Sequence, residues 1–170
     1  NMSGNMYTGS SPYMELSVNG TDTDLINMSY SLWAAIGHAN TVYSRLKTAN
    51  ASVAVKNQTM GECLVWKAMA YFYLVRTFGD VPIIHDNNAE LTSGSYNQKY
   101  KVQKSDVYEY IIMTLEEAIK LLPAKSTAGR IDQYSAKGLL AKVYLTRSGV
   151  SGSRNADDLA EAAKYAKDVI

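Results

Sequence analysis

A seven-residue helical pattern occurs twice in this 170-residue chain and strongly constrains how the chain can fold. Residues 70–76 read Ala-x-x-Tyr-Leu-x-Arg, and residues 141–147 repeat the pattern 71 positions later. A second pattern, Leu-x-Glu-Ala, begins at Leu115 and again at Leu159. Repeated helical patterns in a fixed order are typical of stacked units that bury their faces only against their neighbours. We therefore expect two related helical hairpins, in the order A, B, A, B.

Apolar residues recur at three- and four-residue steps in five stretches, and no stretch of useful length alternates as a strand does. The predicted fold class is therefore all-α, with an irregular segment over residues 1–29 and a helical domain over 30–170. A helix start near Asp22–Asp24 is a second reading of the first segment. Thr59 and Glu62 have the spacing of a capping box, and Gly79 is a predicted helix stop. The predicted helices cover about 30–48, 59–78, 105–122, 133–146 and a last stretch that begins near Asn155 or Asp157.

The repeated helices resemble tetratricopeptide repeats, because Trp66-x-x-Met-Ala-x-x-Tyr73 is similar to the first helix of that motif. Small alanines would let two helices approach closely, and Tyr73 and Tyr144 would fill the grooves beside them. Residues 80–104 would insert a long, polar loop into the first hairpin, and loops of that length are usually functional or flexible. The tyrosines predicted to be in the core are Tyr43, Tyr71, Tyr73, Tyr108 and Tyr144.

Composition and motifs argue against several classes of function. Seventeen basic and sixteen acidic residues leave a net charge of +1, which is not the basic excess of a nucleic-acid-binding protein. The single cysteine, Cys63, cannot form an internal disulfide. Two histidines and no hydrolase, phosphate-loop or zinc motif predict no enzyme and no cofactor. Asp22-Thr-Asp24 lacks the other carboxylates of a calcium loop, so no metal site is expected.

Three segments in order resemble the SusD/RagB family. Residues 61–84 are similar to its aromatic-rich helix, which begins Gly-Glu-Ala and ends Leu-Val-Arg-x-Phe-Gly-Asp-Val-Pro, with Cys63 in place of the alanine. Residues 107–123 and 129–145 are similar to the two helices that follow it. Family members are about three times longer, so the chain would be the N-terminal part, with its lipid anchor and C-terminal loops elsewhere.

This resemblance implies a surface lipoprotein of the outer membrane in Bacteroidetes. Such a protein captures an oligosaccharide or another nutrient and delivers it to a SusC-like TonB-dependent transporter. The repeat helices would be scaffold, and loops would contact the ligand. The alternative is a tetratricopeptide scaffold that binds a peptide or a partner protein.

The predicted ligand-binding residues lie in two irregular stretches. Sugars offer apolar C–H faces to aromatic rings and hydroxyl groups to carboxylates and amides. The resemblance implies ligand contacts just before the first repeat helix, and the long loop adds further polar and aromatic residues. The predicted set is Asp22, Asp24, Asn27, Tyr30, His85, Tyr96 and Tyr100.

Overall fold

The structure is a computed structural model, and it describes residues 17–170. This part of the chain is helical and contains a single isolated β-bridge, which confirms the all-α prediction. Leu32–Ile170 form one compact unit, and the residues before Leu32 fall outside it. The helices are α1 (Thr23–Leu46), α2 (Val53–Phe78), α3 (Asn87–Ser93), α4 (Lys104–Leu121), α5 (Gln133–Arg147) and α6 (Ala156–Lys167), with a 3-10 turn at Ser95–Gln98.

Two helices begin earlier than the sequence predicts. Helix α1 begins at Thr23, which confirms the second reading, a helix start near Asp22–Asp24, and corrects the irregular segment for residues 23–29. The Asp22 carboxylate caps this helix by accepting the N–H of Leu25. Helix α2 begins at Val53, with Ser52 as its N-cap. Thr59 therefore lies inside the helix, and the predicted capping box there is wrong. Glu62 instead binds Arg130, a partner too distant in sequence for the pattern to reveal.

Helices α2 and α4 form the first hairpin and run antiparallel. The N-terminal part of α2 meets the C-terminal end of α4, where a Cβ on Gly61 would come within 2.7 Å of Leu122. At the other end, the rings of Phe72 and Tyr108 lie 6.4 Å apart. Gly79 ends α2 with a positive φ of 71°, as the sequence predicts.

Helices α5 and α6 form the second hairpin, also antiparallel. Arg147 at the end of α5 pairs with Asp158 at the start of α6, and Lys137 pairs with Asp168 at the opposite ends. Asn155 caps α6, which confirms one of the two predicted starts. The hairpins meet through α4 and α5. The largest fully buried side chains of this core are Tyr71, Ile36, Leu74, Ile111, Leu115, Leu140, Val107 and Val143.

The insertion between α2 and α4 is folded rather than a plain loop. It contains α3 and the 3-10 turn, and an antiparallel bridge between Val81 and Val102 closes its base. The amide of Val102 donates to the carbonyl of Val81 at 3.2 Å. The insertion therefore leaves the first hairpin and returns to it at one place, which fixes the position of the residues in between.

The predicted tyrosine core is only partly present. Tyr71, Tyr108 and Tyr144 are buried, as expected. Tyr73 is 46% exposed and Trp66 is 53% exposed, so the prediction that Tyr73 fills a groove is wrong. Both side chains lie on a face of α2 that no other helix of Leu32–Ile170 covers.

Candidate ligand-binding site

A depression with a volume of about 280 Å³ lies between α1 and the insertion. We call it the aromatic depression, because two aromatic rings line it together with apolar and polar side chains. Its lining residues are Trp33, Pro82, Ile84, Asn87, Tyr96 and Lys99.

Trp33 and Ile84 are held in place by the buried Tyr71. The Trp33 ring meets the Tyr71 ring edge to face, with 6.1 Å between ring centroids and an angle of 90°. The Tyr71 hydroxyl accepts the backbone N–H of Ile84 at 2.8 Å. Burial raises the pKa of Tyr71 well above its usual value, so this phenol stays neutral. One core side chain thus fixes two walls of the aromatic depression.

Asn40 of α1 orients the amide that faces the depression. Its Nδ2 donates to the backbone carbonyl of Ile84 at 3.2 Å and to Oδ1 of Asn87 at 2.7 Å. Oδ1 of Asn87 accepts this bond, and its amide NH₂ donates to no residue within 17–170, so two donors are left for other partners. Asp86 caps α3 and so sets where Asn87 begins that helix.

A buried carboxylate fixes the opposite wall. Glu90 accepts the Lys99 ammonium at 2.9 Å and the backbone N–H of His85 at 3.1 Å. Burial opposes ionisation of Glu90, but these bonds outweigh it and hold its pKa below the usual value. The bond to Glu90 thereby holds Lys99, and Tyr96 three residues before it, at the edge of the aromatic depression.

The aromatic depression has the chemistry that a sugar requires. Trp33 and Tyr96 offer ring faces to apolar C–H groups. Asn87 and Lys99 supply hydrogen-bond donors for hydroxyl oxygens. A few polar groups among aromatic walls are typical of small-molecule sites.

The structure separates the predicted residues of the insertion. Tyr96 lines the aromatic depression, as a ligand-contacting residue would. His85 lies on the other side of the same segment, in a second pocket, and its ring meets Tyr110 edge to face at 5.3 Å. Tyr100 is 82% exposed and lines neither. The role of each in binding stays a prediction.

The four predicted residues near the N-terminus belong to the start of α1. Asp22 precedes the helix as its cap, and Asp24, Asn27 and Tyr30 follow at three-residue steps. All three of these helical side chains are exposed. Their spacing places them on one side of the helix, where they remain available to a ligand.

The sequence did not identify Trp33, Asn87 or Lys99 as site residues. Trp33 falls within the predicted helix over 30–48, where apolar periodicity cannot tell a core ring from one at the edge of a depression. Asn87 and Lys99 are two of many polar residues in the insertion, and no local pattern sets them apart. Only the fold of that segment distinguishes them from their neighbours.

The described residues offer neither a metal site nor a membrane-spanning helix. No group of His, Cys, Asp and Glu within residues 17–170 is arranged to hold a metal ion. No helix in this part of the chain is both long enough and apolar enough to cross a membrane.

Comparison with known proteins identifies the family. The family described as "Starch-binding associating with outer membrane", of the SusD-like group, matches residues 3–145. A SusD-like protein of Bacteroides ovatus is 33% identical over 162 residues, which cover 92% of this chain and 29% of that protein. The chain therefore belongs to the SusD-like family.

Solved structures agree. A SusD superfamily protein from Parabacteroides distasonis superposes with a TM-score of 0.82 and 31% identity, over 93% of this chain and 34% of that one. A crystal structure with xylogluco-oligosaccharide has a TM-score of 0.78 and 33% identity, over 89% of this chain and 30% of that one. The chain thus spans about a third of the length of these relatives.

Proposed function

We propose that the protein is a non-enzymatic, surface-exposed lipoprotein of the outer membrane that captures a glycan. The aromatic depression is proposed as one of its contact surfaces, with Trp33 and Tyr96 stacking on sugar rings and Asn87 binding a hydroxyl. The predicted residues at the start of α1 are proposed to contribute a further contact surface. No covalent step is involved.

The observation that carries this proposal is the pairing of two aromatic rings with donor side chains in a depression built by the insertion. Two findings add support. The family is described as starch-binding, and a similar structure was solved with xylogluco-oligosaccharide. A peptide-binding repeat array has short turns between its helices, so it does not account for the folded insertion. The alternative of a tetratricopeptide scaffold that binds a peptide or a partner protein stays a prediction.

We further propose delivery of the glycan to a SusC-like TonB-dependent transporter. The described association of the family with the outer membrane supports this step. Affinity purification of the tagged protein from detergent-solubilised outer membranes tests it, with proteins identified by mass spectrometry. We expect a TonB-dependent transporter to be recovered in an amount equal to that of the tagged protein. Recovery of soluble peptides or partner proteins alone would favour the scaffold alternative.

Calorimetric titration with a xylogluco-oligosaccharide tests glycan binding. Saturable binding is expected, and Tyr96→Ala should weaken it about tenfold, because a lost stacking ring is worth roughly 1–2 kcal/mol. Tyr96 is half exposed, so its removal should leave folding unchanged. Trp33→Phe tests whether the larger indole ring is needed for binding, because phenylalanine keeps an aromatic ring against Tyr71.

Tyr134→Ala is the matched control, because Tyr134 has nearly the same exposure but lies on α5. It should bind as the parent protein does. Equal affinity of the Tyr96→Ala and Tyr134→Ala variants would remove the aromatic depression from the proposal. Absence of binding to any oligosaccharide on a glycan array would overturn glycan capture itself. Tyr100→Ala decides whether that exposed ring also contributes.

A further inference from the structure

A second pocket lies on the other side of the segment Ile84–Asn87, with a volume of about 270 Å³. We call it the lysine pocket. Lys47 follows directly after helix α1, helix α2 contributes Lys67, and the insertion contributes His85 and Asp86. This volume is near the lower end of the range for small-molecule sites, roughly 300 Å³.

Lys67 is the unusual residue of the lysine pocket. It is only 6% exposed, and its Nζ donates to the carbonyl of His85 at 3.4 Å and lies 5.4 Å from the centre of the Tyr110 ring. Within residues 17–170 it forms no salt bridge. A buried ammonium is unfavourable unless a carboxylate or another anion compensates it. The fold thus keeps a cation in a cavity with one weak acceptor.

Neither of the nearby carboxylates forms a salt bridge with Lys67. Oδ1 of Asp86 accepts two backbone N–H groups of α3, and Oδ2 accepts the Ser44 hydroxyl at 3.4 Å. Oε1 of Glu90 accepts both Lys99 and the amide of His85, and the buried Oε2 has no hydrogen-bond partner within residues 17–170. Asp86 and Glu90 still attract Lys67 through space, but burial dominates and lowers the pKa of Lys67 to about 8. Lys67 is therefore mostly charged at neutral pH.

A second ammonium stands at the mouth of the lysine pocket. Lys47 lies 5.2 Å above the Tyr43 ring, and it too makes no salt bridge within the described chain. Glu117 acts on Tyr43 through space, but its carboxylate pairs with Lys120. Counting the Glu90–Lys99 pair that also acts on this pocket, three ammonium groups face the two carboxylates of Asp86 and Glu90, and this excess of positive charge favours an anionic occupant.

We propose that the lysine pocket binds the carboxylate of a small acidic sugar, such as a uronic acid, with Lys67 as the buried partner and Lys47 as the partner at the mouth. The hydroxyl groups of Tyr43 and Ser44 lie on the same walls and match the hydroxyls of a sugar. Because the segment Ile84–Asn87 separates the two sites, an acidic sugar here would adjoin a glycan in the aromatic depression. The proposal rests on the lysine pocket alone and does not require glycan capture.

Titration with sodium glucuronate in chloride buffer at neutral pH tests the proposal, with glucose as the neutral match and acetate as the carboxylate without a sugar. Glucuronate is expected to bind at least tenfold more tightly than either. Equal binding of glucuronate and glucose would overturn the site. Acetate binding as tight as glucuronate would overturn its assignment to a sugar.

Variants locate the binding. Lys47→Met should weaken glucuronate binding several-fold without a folding defect, because Lys47 is exposed. Lys67→Met should abolish binding, and Lys125→Met, which removes an exposed lysine that lines neither site, should have no effect. Unchanged affinity in the Lys47→Met variant would contradict the proposal, whether or not the Lys67→Met variant folds.

NMR of isotopically labelled lysine side chains gives a readout that needs no variant. Glucuronate should raise the pKa of Lys67 from about 8, because a nearby anion stabilises the charged form. An unchanged pKa at saturating glucuronate would overturn the role of Lys67. The Tyr96→Ala variant can lose oligosaccharide binding and still bind glucuronate in the lysine pocket. The proposals for the aromatic depression and for the lysine pocket can therefore be contradicted independently.

Discussion

The two hairpins share a sequence pattern but bury it differently. Tyr144 of the second hairpin is 8% exposed and stacks on Tyr165 of α6, with ring centroids 5.9 Å apart. Its counterpart Tyr73 is half exposed, and the position on α4 that corresponds to Tyr165 holds Leu121. A repeated residue is therefore buried only where the partner helix supplies its contact.

The repeated arginines differ for the same reason. Arg147 pairs with the buried carboxylate of Asp158 at 2.6 Å and also binds Glu109. The position on α4 that corresponds to Asp158 is Thr114, so Arg76 has no carboxylate there. Arg76 lies instead over the rings of Phe72 and Tyr73, 4.1 and 4.8 Å from their centres.

A third pair of positions separates scaffold from site. Lys67 on α2 corresponds to Gly138 on α5. The ammonium is present where the insertion covers α2, and the second hairpin, which has no insertion of that length, has a glycine. At this position the first hairpin thus carries a charge that faces the insertion, whereas a Cβ on Gly138 would meet no atom within 4 Å.

Removing the repeated tyrosine should give the largest difference between the hairpins. Tyr144→Ala is expected to lower the free energy of unfolding by about 3 kcal/mol, since it empties a buried aromatic site. Tyr73→Ala should lower it by about 1 kcal/mol or less. Urea denaturation followed by circular dichroism measures both. Equal losses would mean that the repeat, rather than the local partner, determines burial.

Removing the repeated arginine should come next. Arg147→Met is expected to lower the free energy of unfolding by about 2–3 kcal/mol, because it leaves Asp158 buried without its cation. Arg76→Met removes cation–π contacts at an exposed position, worth about 0.5–1 kcal/mol. The same denaturation experiment applies, and Asp158→Asn is expected to be milder than Arg147→Met because it leaves no buried charge.

The sequence predicts the helices, the pairing of hairpins and the closing Gly79 because these depend on local patterns. It fails at Tyr73 and at the capping box, where partners more than forty residues away decide the outcome. The candidate site is predictable only in part for the same reason. The sequence predicts Tyr96 from its residue type and its place in the insertion, whereas Trp33 becomes a site residue only when the insertion folds over α1.

The buried lysine should make stability depend on pH in the first hairpin. The pKa of Lys67 falls from 10.5 unfolded to about 8 folded. Below pH 8 both states are protonated, and the full penalty of the buried charge is present. Between pH 8 and 10.5 the folded state releases its proton first, so the unfolded state binds more protons and stability rises with pH.

Unfolding measured from pH 7 to about 9.5 should show this rise, on the order of 2 kcal/mol, in the parent protein relative to Lys67→Met. The range stops below the titration of the tyrosines, since Tyr110 and Tyr144 have folded pKa values of about 12 and oppose the trend above pH 10. Parallel pH profiles for the two proteins would show that Lys67 is solvated rather than buried.

The smallest expected difference concerns how the second helix of each hairpin begins. Asn155 caps α6 by accepting the N–H groups of Asp157 and Asp158, so Asn155→Ala should lower stability by about 1 kcal/mol. Gln103 precedes α4 without a side-chain cap, and Gln103→Ala should have almost no effect.

The first N–H of α4 instead donates to Asp80 at 2.8 Å, across the whole insertion. Asp80→Ala should therefore weaken the first hairpin where Gln103→Ala does not, and hydrogen exchange at the start of α4 measures the difference. Equal exchange in both variants would mean that the insertion contributes no cap, and that α4 begins without help from the segment that carries the proposed sites.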